Sequence, residues 1–328
     1  MGRENWKLVR YEATKRREWD DFVAASRNGT FLLMRDYMDY HADRFADCSW
    51  MAYKGNRLLA ILPANITADG ILHSHQGLTY GGWILPPAHL DGADLLEIWD
   101  VAIDEWKKRG VKMLNYKPIP SIYHRQPSEE DLYALFRLGA TQTQCGLSAA
   151  VNLREPWKFN TLQNRHLAKT RGLSLSIRET ERVEAFMNLL AECLRERHDV
   201  SPVHSAEELR LLKSRFPENI RIFAVSLVGE GDSIDSDELP MEAAVCIYDT
   251  GRVAHAQYIA TSRKGRELNL LAPLFYYLFT QVFDKREYFD FGISTEEGGR
   301  YLNEGLLRQK YSYGATGVVY SRFSIPIF

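Results

Sequence analysis

Several residues have the type and spacing to do chemistry. Asp290 interrupts the apolar run Tyr288-Phe-Asp-Phe-Gly292. A carboxylate in such a run is costly unless paired or hydrogen-bonded. At a strand end it could bind or deprotonate an amine, or cap the loop that follows. The stretch Thr261-Ser262-Arg263-Lys264-Gly265-Arg266 combines a glycine with three cations, which suits phosphate and equally suits a solvated basic turn. Tyr258, in His255-Ala-Gln257-Tyr258, lines a cleft or is a half-buried strand tyrosine. His73-x-His75 would place two imidazoles on one strand face, but no third ligand is identifiable, so structural histidines are expected and no metal is assigned. Gly-x-Ser-x-Gly and the P-loop pattern are absent, and no Cys or Ser is flanked as an activated nucleophile.

The elements that must position these groups follow from the same sequence. Aromatic residues at 288, 289 and 291 favour a strand, a helix follows with Leu302, Leu306 and Tyr313 able to face a core, and a last strand is predicted over 316–323. An apolar helix over 268–283 tolerates Pro273 because it lies near the first turn. Asp249-Thr250-Gly251 is a hairpin turn between strands at 242–248 and 252–260. Upstream, 220–228 reads as a strand, and 158–171, 181–197 and 207–216 read as helices, with a strand over 173–178. The first half begins with a strand over 6–11 and a helix over 17–26. Asp36 is the expected cap of a second short helix. A hairpin at Gly55 joins strands 50–53 and 57–66, and 71–75 is the next strand. A helix over 95–108 carries an apolar stripe, 111–116 is a buried strand, and Ser128-x-x-Asp131 is the expected capping start of a helix to Leu138.

With 328 residues the chain can form two cores. It is 45% hydrophobic and carries a formal charge of −2, so no overall basic field recruits nucleic acid or an anionic membrane. The longest apolar run, 270–283, is too short to span a bilayer, which needs roughly 20 residues. Residues 1–10 contain no apolar signal core, and Cys48, Cys145, Cys193 and Cys246 form no CxxC pair, so reduced thiols and a cytoplasmic location are expected.

The two halves repeat one order: hairpin, strand, apolar helix, buried strand, amphipathic helix, Gly-Ala, strand. Asn115 precedes Gly139 by 24 residues (139 − 115), as Asp290 precedes Gly314 (314 − 290). Tyr80 precedes Asn115 by 35 residues and Tyr258 precedes Asp290 by 32. This implies two similar α/β units rather than one large mixed domain.

The segment Asp290-Phe291-Gly292, a glycine-bearing loop, and Gly305-Leu306 through Lys310 to Tyr313-Gly314-Ala315 resembles the C-terminal motif of the FemAB-like branch of the GNAT acyltransferase superfamily. Asn164-Arg165-x-x-Ala168-Lys169-x-Arg171-Gly172 resembles that family's basic helix opening the second domain. The resemblance implies an α/β fold of two tandem GNAT-like domains without a long coiled-coil arm, here 1–154 with an N-terminal helical segment and 155–328 with leading helices over 155–218. It implies acyl transfer to an amine of a cell-envelope or polysaccharide precursor by direct attack. Lys310 then matches a lysine associated with substrate phosphate or the reacting carbonyl, and Asp290 is its catalytic partner. Arg263, Lys264, Gly265 and Arg266 would hold the donor, although the full Gln/Arg-x-x-Gly-x-Gly/Ala pattern is missing. Tyr258, Arg308, Arg165 and Lys169 would contact substrate. The expected donor is an acyl-CoA co-substrate with no tightly bound cofactor. The alternatives are aminoacyl-tRNA, which alone would make nucleic acid a partner, and a non-catalytic GNAT-like unit that binds a ligand.

Overall fold

The computed structural model describes residues 6–198, 202–234 and 236–328. The chain forms two compact units: one runs to Leu147 and includes Thr295–Tyr301 and Val318–Phe328, and the other comprises Ser148–Ser294 and Leu302–Gly317.

The first unit starts with β1 (Trp6–Arg10), α1 (Arg16–Ala25) and the single turn α2 (Arg35–Met38). Asp36 lies in the first turn of α2 rather than at its N-cap, which is Met34, and it pairs with Arg16. β1 joins the hairpin β2 (Trp50–Lys54) and β3 (Arg57–Leu62) in a three-stranded antiparallel sheet. The return strand ends at Leu62, short of 66, because Pro63 has no N–H to continue the ladder. The chain then enters another sheet as β4 (Asn65–Ile66) and β5 (Ile71–His73), an antiparallel pair. His75 lies outside the strand with φ 65°, so the two histidines do not share a strand face. α3 (Gly92–Lys108) is started by a capping box between Asp91 and Asp94 and buries Leu95, Ile98, Trp99, Ala102 and Trp106. It carries the chain to β6 (Met113–Tyr116), which lies parallel to β5. α4 (Glu130–Arg137) follows without a side-chain cap. Ser128 Oγ instead accepts from Arg27 Nε at 3.1 Å, and buried Asp131 accepts from the Tyr116 hydroxyl at 2.8 Å.

β7 (Thr141–Asn152) contains the boundary between the units. The second unit continues with α5 (Thr161–Thr170), β8 (Leu175–Glu179), α6 (Val183–His198), α7 (Ala206–Arg215) and β9 (Ile220–Leu227). The hairpin β10 (Ala243–Asp249) and β11 (Val253–Thr261) precedes α8 (Arg263–Glu267) and α9 (Leu271–Tyr277), whose end passes into a π-helical turn, Leu278–Val282. β12 (Tyr288–Ile293) then lies parallel to β11, and the sheet order is β7-β12-β11-β10-β9-β8. Its core packs Phe275, Phe279, Phe283, Phe289 and Phe291 against α9. After the short strands β13 (Thr295–Glu296) and β14 (Tyr301–Leu302), α10 (Glu304–Ser312) leads to β15 (Thr316–Pro326). From Phe323 to Pro326, β15 pairs with β6, and β7 lies on its other side, so the strands of the first unit run β4-β5-β6-β15-β7.

Each unit thus repeats an antiparallel hairpin, a helical crossover, a parallel strand and an amphipathic helix. α4 and α10 are both followed by glycines with positive φ, Gly139 at 66° and Gly314 at 91°. That conformation lets the chain leave the helix and enter the next strand without a Cβ clash.

Candidate active site

β12 alternates. Phe289 and Phe291 face the aromatic core, which puts Asp290 on the opposite face, where it is completely buried. Three donors satisfy its carboxylate. Ser148 Oγ and the Gly292 N–H lie 2.6 and 3.0 Å from Oδ1, and His255 Nδ1 lies 2.9 Å from Oδ2. With the acid ionised, Nδ1 carries the proton, because a carboxylate only accepts. Ser148 bonds the carboxylate and not the imidazole, so the three do not form a nucleophilic triad. His255 is the residue of β11 opposite Asp290, and this is the last pair of the parallel ladder. Beyond it β11 runs on to Thr261 and β12 to Ile293 without pairing with each other, each keeping its other neighbour, β10 and β7.

A cavity of about 110 Å³ lies at these strand ends, lined by Ile259 and Thr261 of β11, Phe291 of β12, and Leu306, Lys310 and Tyr313 among others. Lys310 projects from α10, a helix started by Asn303, whose Oδ1 accepts from Leu306 N at 3.0 Å. The side chain is 5% exposed, and Nζ donates to the carbonyls of Gly292 and Ile293, each at 2.7 Å. Burial lowers its pKa to about 8 against the opposing pull of Asp290. Tyr313 stacks on Phe291 at 5.7 Å, and burial raises its pKa. A second cavity of about 240 Å³ includes Gln163, His166, Arg266 and Asn269, and shares Thr261, Leu271, Gln309 and Tyr313 with the first.

Asp290 and Lys310 therefore come together around Gly292. The basic loop forms α8, capped by its own Ser262, whose Oγ accepts from Gly265 N at 2.9 Å. Gly265 is buried so closely against the residue preceding β10 that a Cβ there would lie 1.9 Å from the Glu242 carbonyl. Arg266 lines the larger cavity and bonds Glu196 at 2.5 Å. Arg263 is exposed and pairs with Glu267, Lys264 is exposed, and neither lines the two cavities. Tyr258 is hydrogen-bonded to His204. Arg308 is exposed and paired with Glu304 one turn away. Arg165 and Lys169 are exposed on α5, while Gln163 and His166 of the same helix line the larger cavity. Sequence reasoning passed over His255, Ser148 and His204. The only available signal was for His255: it stands against Asp290 as His73 stands against Asn115 in the first unit. Among the described residues, no group of three His, Cys, Asp or Glu could hold a metal ion, and no helix is long and apolar enough to cross a membrane.

No family model matches the chain, and no curated protein matches it in sequence. Solved structures match it in shape. FemX superposes with a TM-score of 0.70 at 10% identity, covering 98% of this chain and 97% of that one. A tandem GNAT protein from the clavulanic acid biosynthesis pathway gives 0.52 at 14% identity, covering 98% and 99%. The C-terminal domain of a candidate lysylphosphatidylglycerol synthetase from Agrobacterium fabrum gives 0.57 at 11%, covering 95% and 91%. At such identities it is the fold that is shared: this chain has the FemAB-like architecture of two GNAT-type units in tandem.

Proposed function

We propose that the protein is an acyltransferase that moves an acyl group from an acyl-CoA-type thioester to an amine of a cell-envelope or polysaccharide precursor. Its two GNAT-like domains are the two compact units, the first taking residues to Leu147 with Thr295–Tyr301 and Val318–Phe328 rather than residues 1–154 alone. The observation that carries this reading is the end of the β11–β12 ladder at His255–Asp290, where the two strands cease to pair with each other and line an apolar cavity whose one charged lining residue is Lys310. The acyl group sits between the strand ends and the polar part of the donor lies toward His166 and Arg266. Asp290 is too deeply buried to touch an acceptor, so it acts as a positioning residue for His255. His255 takes the proton as the amine nitrogen bonds to the carbonyl carbon and the thiolate leaves. Lys310 has one N–H left after its two carbonyl bonds and directs it at the developing oxyanion. The four free cysteines suit a reducing compartment, in keeping with a cytoplasmic location.

The aminoacyl-tRNA reading is favoured by one feature, the exposed Arg165, Lys169 and Arg171 at α5, which suit a phosphate backbone. Thermal melting with coenzyme A, acetyl-CoA and uncharged tRNA separates the readings. Stabilisation by the thioester family supports the proposal, stabilisation by tRNA alone replaces it with the second, and response to neither leaves a ligand-binding unit. With the donor found, Asp290→Asn is expected to lower kcat about a hundredfold or more with little change in KM, and an unchanged kcat overturns the assigned roles.

A further inference from the structure

The first unit holds a larger cavity, of about 460 Å³, on the open face of the sheet β4-β5-β6-β15. Side chains alternate across that sheet. Leu72, Leu114, Tyr116 and Ile325 enter the apolar core, while His73, Asn115 and Lys117, with Arg322 and Ser324 of β15, belong to the other face. His73 and Ser324 flank Asn115 in register from either side. The cavity lining contains His73, Lys117 and Arg322 but no Asp or Glu.

Three basic groups line one space without a carboxylate among them: Lys117 is buried, His73 half-buried, and Arg322 exposed at the rim. Lys117 is only 8% exposed, and its ammonium donates to the Leu78 carbonyl, leaving two N–H donors. Burial, aided by Arg322, lowers its pKa to about 7. Burial, Lys117 and Arg322 also lower that of half-buried His73, against a pull from Asp69 at the end of the preceding turn. The Arg322 guanidinium has no ion pair or side-chain hydrogen bond among the described residues. The duplicated fold shows what is missing. In the second unit the position of Asn115 is held by Asp290, and the histidine opposite is paired with a carboxylate. Here the carboxylate is a carboxamide, and the three basic groups have no acidic partner in the lining.

We propose that this cavity is a binding site for a small oxyanion-bearing molecule, a carboxylate or a phosphate monoester. His73, Lys117 and Arg322 hold the anionic group, while Asn115, Gln76 and Gln144 hydrogen-bond the remainder. Its volume lies within the range of sites for small organic ligands, roughly 300–1,000 Å³, so the ligand is larger than the bare anion. The site is separate from the acyl-transfer residues and stands whether or not that reading holds.

The test is calorimetric titration of the full chain with inorganic phosphate, O-phosphoserine and succinate at constant ionic strength, with serine as the neutral control. At least one of the three anions is expected to bind saturably below about 10 mM. A preference for phosphoserine identifies a phosphate ligand, and a preference for succinate a carboxylate. Arg322→Gln, at the exposed rim, is expected to weaken binding about tenfold, the equivalent of one charge-assisted hydrogen bond. Asn115→Asp restores the counter-charge of the second unit and is expected to abolish binding with the melting temperature retained. If none of the anions binds, or if affinity is the same in wild type, Arg322→Gln and Asn115→Asp, the proposal is overturned.

Discussion

Replacing Lys310 by Met tests whether the buried amine is held as described. Met keeps a flexible apolar stem of similar length and removes the charge. In the folded protein the amine has a pKa of about 8 against 10.5 for a free lysine. That difference of about 2.5 (10.5 − 8) corresponds to about 3 kcal/mol of unfavourable burial of the ammonium. The two carbonyl bonds of Nζ oppose this by about 1.5–3 kcal/mol each, so at neutral pH the variant and wild type are expected to differ little in stability. The pH dependence is the discriminating quantity. Below pH about 8 both folded and unfolded chains keep the proton, and the cost of burial is fully present. Between about 8 and 10.5 the unfolded chain keeps it while the folded chain has lost it. Wild-type stability therefore rises with pH across that window by about 3 kcal/mol relative to Lys310→Met. Urea denaturation of both proteins at intervals from pH about 7 to 10.5 measures the double difference, in which all other titrations cancel. Parallel curves would refute the burial of a charged amine at this site, and with it the reason for expecting Lys310 to present an ammonium N–H to the oxyanion.

The remaining predictions concern packing and a second buried acid. Gly265→Ala would set a Cβ 1.9 Å from the Glu242 carbonyl, a backbone atom that cannot swing aside. A loss of about 1–3 kcal/mol is expected in urea denaturation, and an unchanged midpoint would show that α8 does not press on Glu242 in this way. Burial raises the Asp131 pKa from 3.8 to about 7, so the folded chain holds a proton that the unfolded chain releases. Stability then falls as pH rises from about 4 to 7, by about 4 kcal/mol. Asp131→Asn, which cannot ionise and keeps one acceptor for Tyr116 or Leu132, should remove that fall, and a variant with the same slope as wild type would exclude Asp131 as its source.

Much of the fold could be read from the sequence, because its signals are local. The stripe on α3, the turn at Asp249-Thr250-Gly251 and the apolar run of α9 each express a periodicity or a turn preference within one window. The errors have local causes of another kind. Asp131 and Ser128 have the spacing of a capping box, but Tyr116 and Arg27, distant in sequence, compete for their oxygens and win. His75 continues the alternation begun at Ile71, yet the strand stops at His73 and the backbone turns into the left-handed region. No pattern within a window contains such partners.

The same distinction explains why Asp290 was visible and His255 was not. A carboxylate inside an aromatic strand violates the hydrophobic pattern wherever it occurs, and that violation alone demands a partner. The partner comes from a different strand, 35 residues earlier (290 − 255), and a histidine on a half-buried strand violates nothing. Only the register of a parallel pair selects it. That register occurs twice in this chain, as His73 against Asn115 and as His255 against Asp290. The duplication therefore carries more functional information than its low sequence identity suggests. The two copies share this backbone pairing and differ there by one ionisable group, and that difference separates a histidine held by a carboxylate from a histidine beside Lys117 and Arg322.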